Sequence, residues 1–186
     1  MEMHNIKELS KRTADMLGNE INKINQAPEP SCAQLKISFK CICNETKDLI
    51  CKKLNLTYKR LKVSKCLYFI SLDKEASSEK VRDCFENARR NCEEKKAFSK
   101  LNLLTESKCL YVGSSKNIRS RILQHIGFVP DKTYALRIKS WSKDLDGGIE
   151  ITIISYDKIE QSTLLYFEEQ LSKELKPISG KRGSAR

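Results

Sequence analysis

Three stretches of this 186-residue chain place side chains where they could do chemistry. The pentapeptide Ser-Lys-Cys-Leu-Tyr occurs at Ser64 to Tyr68 and again at Ser107 to Tyr111, leading into the strand-like runs CLYFISL and CLYVGS. On a strand the Cys and Tyr of each copy share one face and the Leu takes the other. If the two strands pair, Tyr68 and Tyr111 bring two phenolic hydroxyls to one surface; otherwise the repeat reflects the common use of β-formers. The second stretch is YVGSSKNIRSRILQH, and from Lys108 to His125 there are four Lys and Arg and no acidic residue. Ser115 or Asn117 can cap a helix running to about Ile126, ended by Gly127. A helix N-terminus flanked by Lys and Arg is suited to anions, which makes Ser114, Lys116 and Arg119 candidate nucleic-acid contacts. Lys181 and Arg182, in the basic tail GKRGSAR, are further candidates. The third stretch is the last helix. At about 100° per residue, Leu164, Leu171 and Leu175 form a stripe, and Glu168 falls inside it while Glu169 points away. A carboxylate on a core-facing side is costly unless it is paired or binds a cation. Two readings of Glu168 follow: a structural ion pair, or a metal ligand.

Composition narrows the partners. Lys and Arg total 35 against 24 Asp and Glu, a formal charge of +11, which favours nucleic acid or an acidic membrane surface. No apolar run is long enough to span a bilayer. The opening MEMHNIKELSKRT lacks the apolar core of a signal peptide, so the expectation is a cytoplasmic protein. The eight cysteines are then reduced thiols, used for burial or metal, and no spacing is Cys-x-x-Cys. Gln34 to Cys43 alternates as a strand with Leu35, Ile37, Phe39, Cys41 and Cys43 on one face, which favours burial over a zinc site.

The elements that must position these groups read as α+β: a small antiparallel sheet flanked by helices, with a mostly helical amino-terminal extension. A helix over 3–24 ends at Pro28 and Pro30, and the alternating strand follows. Asn44 then caps a helix carrying Leu49, Ile50 and Leu54. Glu75 to Lys100 reads as a charged amphipathic helix capped by Ser77 or Ser78, with Val81, Cys84, Phe85, Ala88 and Cys92 on its apolar stripe. The sheet is expected from the runs 65–72, 107–113, 133–139 and 148–156, and the last helix spans 160–175 before Pro177. The domain division expected is 1–61 for the basic extension, 62–183 for the main domain with an insertion at 73–106, and a tail at 184–186.

From about Lys65 to Gly183 the chain resembles the GIY-YIG nuclease superfamily. Cys66-Leu67-Tyr68 matches the family's first motif and Tyr111-Val112-Gly113 its second. The family spacing selects Arg121 on the following helix, with His125 one turn later, and matches the helical glutamate to Glu168 ahead of Lys176-Pro177. The connection Asp73 to Glu106 is longer than usual, and Gly180 stands where the family's closing Asn belongs. The resemblance implies a metal-dependent endonuclease cutting DNA, with Tyr68 as base and Tyr111 orienting the water or a phosphate oxygen. Arg121 would hold the scissile phosphate, His125 would contact the phosphate or act as acid, and Glu168 would bind Mg²⁺ or Mn²⁺. The alternative is a nucleic-acid-binding module of the same fold with weak or no cleavage.

Overall fold

The amino-terminal helix α1 (Met3–Asn25) precedes strand β1 (Ser31–Ser38), which runs without a break into the short helix α2 (Phe39–Asn44). The order continues α3 (Lys47–Tyr58), β2 (Lys65–Leu72), α4 (Ser78–Arg90), β3 (Cys109–Ser115), α5 (Ile118–Ile126), β4 (Gly148–Tyr156) and α6 (Gln161–Leu175). This computed structural model describes residues 3–59, 61, 65–92, 97–102, 107–128 and 133–180. Lys181 and Arg182 lie outside the described residues.

The four strands form one antiparallel sheet in the order β1-β4-β2-β3. Its two faces follow from strand alternation. Cys66, Tyr68, Ile70 and Leu72 of β2 join Ile149, Ile151 and Ile153 of β4 in the main core, with Phe39, Ile50, Leu54, Phe85, Ile122 and Trp141. The opposite face carries a smaller cluster in which Leu67 and Tyr156 meet Ile159 and Leu164, so α6 covers the back of β2. α1 is tied to the start of α6 by Lys23 Nζ, 3.0 Å from Glu160 Oε2, while Leu9, Met16, Leu17 and Ile21 stay exposed.

Two expected strands are corrected. The alternation from Gln34 to Cys43 is cut at Ser38. β4 begins at Gly148, opposite Ser38, so the chain beyond has no ladder partner. Ser38 Oγ accepts from the Cys41 N–H at 3.2 Å and starts α2, whose Phe39 and Ile42 point into the core. Cys41 and Cys43 are therefore helical and half-buried. The run 133–139 supplies only an isolated parallel bridge, Ala135 to Phe98. Side chains take the backbone groups a ladder would use: the Leu136 N–H donates to His125 Nδ1 at 3.3 Å, and the Leu136 carbonyl accepts from Trp141 Nε1 at 2.8 Å. Arg137 then turns left-handed at φ 56° and leads into a 3₁₀ turn, Ile138–Ser140. The missing fourth strand is β1, from the amino-terminal extension.

Helix limits shift for local reasons. Ser77 Oγ caps α4 through the Lys80 N–H as expected, but the helix stops at Arg90 instead of reaching Lys100. α3 starts at Lys47 after Thr46, because Asn44 is the last residue of α2. The insertion's return segment packs back on the sheet domain: Leu101 bridges to Ser179, and Asn102 Nδ2 donates to the Pro177 carbonyl at 2.8 Å.

Candidate active site

Pairing of β2 with β3 sets Tyr68 opposite Gly113 and Ile70 opposite Tyr111. The diagonal brings the two phenol rings together, stacked at 18° with centroids 6.0 Å apart. Gly113 is required for space, not for a left-handed backbone. A Cβ there would lie 2.8 Å from Tyr111 Cε1 and 2.9 Å from the Tyr68 hydroxyl. Gly180 meets the other edge of the Tyr111 ring, its would-be Cβ 3.1 Å from Cε2, and its φ of +117° also suits glycine. Gly113→Ala is therefore expected to lower stability by about 1–3 kcal/mol, measured by urea denaturation; unchanged stability would show that the rings have room to spare.

The helix that faces the tyrosines is built as its sequence suggests. Asn117 Oδ1 caps it through the Ser120 N–H at 3.1 Å, and Gly127 ends it at φ 109°. Ile118, Ile122 and Ile126 anchor it in the core, which leaves Arg121 and His125, one turn apart, directed at the tyrosines. Arg121 Nε donates to the Tyr68 hydroxyl at 3.0 Å, Nη2 to the Tyr111 hydroxyl at 2.9 Å and Nη1 to Gln124 Oε1 at 2.9 Å. Its guanidinium carbon also lies 5.5 Å from the centre of the Tyr111 ring. Gln124 had no place among the sequence candidates, although its spacing of three from Arg121 on a helix was a usable signal.

His125 is fully buried, and both ring nitrogens are engaged within the protein. Nδ1 accepts the Leu136 N–H, which assigns the proton of the neutral ring to Nε2, and Nε2 then donates to the Tyr68 hydroxyl at 2.9 Å. This corrects the expectation of a His125 directed at phosphate: the ring lies behind Tyr68 and leaves no nitrogen open to a ligand. Burial, then the charges of Arg121 and Arg137, hold its pKa well below 6.5. The sign follows directly. The native ring stays neutral where an unfolded His takes up a proton, so stability falls as pH drops below about 6.5 and is unaffected by this residue above it. Between about pH 7.5 and 5.5 the cost approaches about 1.4 kcal/mol. Urea denaturation of wild type and His125→Gln at both pH values should show that extra loss only in wild type.

The Tyr68 hydroxyl thus receives two N–H donations in a fully buried position. Burial raises its pKa well above 10, aided by Tyr111 and Glu168 and opposed by Arg121. Arg121 loses some stabilisation to burial, but the two tyrosines outweigh this and raise its already high pKa. The guanidinium is charged at any working pH.

Glu168 is half-buried on α6, one turn after the fully covered Leu164, and its negative charge acts on Tyr68. Its neighbour Glu169 is held by Lys173 at 2.7 Å. Among the described residues no three His, Cys, Asp or Glu side chains converge as a metal cage. A single carboxylate whose charge acts on Tyr68 is nonetheless a donor suited to Mg²⁺, which keeps several waters and takes phosphate oxygens as other ligands. Lys116 and Arg119 are exposed at the start of α5, and Ser114 is half-buried at the end of β3.

No helix among the described residues is long and apolar enough to cross a membrane. No curated protein and no solved structure shows significant similarity to the chain. Residues 98–182, however, match the family described as the GIY-YIG catalytic domain, a domain of nuclease type. The match contains Tyr111, Arg121, His125 and Glu168, and the pairing of β2 with β3 adds Tyr68 from outside it. The matched segment and the four-stranded antiparallel sheet flanked by helices support membership of the GIY-YIG superfamily.

Proposed function

We propose that the protein is an endonuclease that hydrolyses DNA phosphodiester bonds with the help of a divalent cation. The observation that carries this reading is the arrangement of Arg121, which donates to both tyrosine hydroxyls while His125 donates to one of them from behind. Among the described residues three of the five guanidinium N–H groups are engaged, which leaves two for phosphate oxygens as negative charge develops. Tyr68 is the general base, taking the proton of the attacking water as the new P–O bond forms and the bond to the leaving oxygen breaks. The two donations it receives favour its phenolate, which offsets part of the burial cost. Tyr111 orients the water or a phosphate oxygen, and His125 positions Tyr68. Glu168 would hold Mg²⁺ or Mn²⁺; such an ion would supply charge neutralisation at the phosphate and would lower the pKa of a bound water. Lys116 and Arg119 contact neighbouring phosphates, with Ser114 at the end of β3. The cytoplasm suits cysteines kept as reduced thiols.

Nicking of supercoiled plasmid in Mg²⁺, compared with chelator and with Glu168→Gln, tests the reading. Cleavage should need both the ion and the carboxylate; cleavage that survives either loss would remove the metal from the mechanism. A second reading, a nucleic-acid-binding module with weak or no cleavage, is favoured by Gly180 at the position of the family's closing Asn. Retarded DNA without nicking would decide for it.

A further inference from the structure

The hairpin of α2 and α3 holds a side-chain cluster that the nuclease site does not use. Lys53 Nζ on α3 lies 2.9 Å from Cys41 Sγ on α2 and 2.8 Å from Glu45 Oε1 in the turn between them. For an atom as large as sulfur, 2.9 Å is a close approach. The second oxygen of Glu45, Oε2, is buried and has no hydrogen-bond partner in good geometry among the described residues. The side chains of Lys53 and Glu45 remain 40% and 25% exposed, and Cys41 is half-buried, so a small oxidant reaches the group. Burial, with Glu45 next, raises the pKa of the Cys41 thiol, and Cys41 and Glu45 raise that of Lys53. At rest the cluster is a thiol, an ammonium and a carboxylate.

We infer that Cys41 and Lys53 are a redox modification site, closing under peroxide into a reversible covalent sulfur–oxygen–nitrogen bridge. The first peroxide oxidises the Cys41 thiol to a sulfenic acid and leaves as one water. Glu45 takes a proton from the Lys53 ammonium and frees its amine. The second peroxide oxidises that amine onto the sulfenic oxygen. An O–N bond forms, the O–H hydrogen and one N–H hydrogen are lost, and two waters leave. Sulfur and nitrogen each give up one electron pair, and both peroxides are reduced. Two equivalents of dithiol run the sum backwards and return thiol and amine. The bridge would fasten α2 to α3 without touching Tyr68, Arg121 or Glu168, so it stands or falls separately from the nuclease reading.

Tryptic mass mapping of the full-length protein after hydrogen peroxide, before and after dithiothreitol, is the test. The expected product is a linked peptide pair containing Cys41 and Lys53, with one oxygen gained and two hydrogens lost. Cleavage after Lys53 should be lost, then recovered on reduction. Lys53→Arg keeps the cation but lacks the primary amine, and should give an oxidised Cys41 with no link. An oxidised Cys41 beside a fully cleavable Lys53 in wild type overturns the inference. So does a Cys41 disulfide in place of the bridge, or the same product in Lys53→Arg.

Discussion

Arg121→Ala should lower the rate of plasmid cleavage by roughly 10³-fold or more while the protein still folds. Three effects converge on this residue. In the proposed mechanism, its two N–H groups that have no acceptor among the described residues meet developing charge on the phosphate. Its Nε–H is one of the two donors on Tyr68, and its charge opposes the rise of the Tyr68 pKa, so the base weakens with it. Its Nη2–H aligns Tyr111. Arg121→Lys keeps the charge but cannot reach two hydroxyls and a phosphate with one ammonium, so a loss of roughly 10²-fold is expected. Removing the half-buried guanidinium also takes one of the two donors from the Tyr68 hydroxyl and the Arg121 donor from that of Tyr111, at a cost of about 1–3 kcal/mol in stability. Circular dichroism and urea denaturation separate that cost from the kinetic loss. A folded Arg121→Ala protein that cuts within a few-fold of wild type would remove the arginine from the chemistry.

Much of this arrangement was legible in the sequence, and the limits of legibility have physical causes. The doubled Ser-Lys-Cys-Leu-Tyr gave two strands, and alternation put the tyrosines on one surface; the structure stacks them. Cap and stop residues at Asn117 and Gly127 bounded α5 closely, because caps act through local backbone geometry. What failed were judgements that depend on distant partners. Phe39 to Cys43 alternates well enough for a strand, but the ladder stops where β4 begins, opposite Ser38, and periodicity carries no record of a neighbour's length. Thr133 to Lys139 also reads as a strand, yet His125 and Trp141 take up the backbone groups of Leu136. His125 shows the same limit at the site. One turn from Arg121 it belongs on the same side of the helix, but only the three-dimensional fold shows Leu136 closing over its far nitrogen. Glu168 was an odd acid in an apolar stripe, and its charge does reach Tyr68.

Tyr68→Phe is the sharpest separation of chemistry from structure. Phenylalanine keeps the ring that fills the core between Gly113, Tyr111 and His125 and removes only the hydroxyl. The buried Nε2–H of His125 and the Nε–H of Arg121 lose their acceptor, which costs about 1–3 kcal/mol in stability, readable by urea denaturation. The kinetic loss should be far larger, about 10²–10⁴-fold in kcat, because the proton acceptor itself is gone. The pH profile supplies the decisive detail. Burial keeps the wild-type phenol protonated near neutral pH, so with Tyr68 as the proposed base the active phenolate would be a minority form whose share grows about tenfold per pH unit below the pKa. Wild-type kcat should therefore climb with pH through the neutral range, while the residual rate of Tyr68→Phe stays flat. Tyr111→Phe loses one bond to Arg121 and no base, so it should keep the wild-type slope at a lower rate. If Tyr68→Phe retains the climbing profile, the base is another group and Tyr68 is left as a support for Arg121.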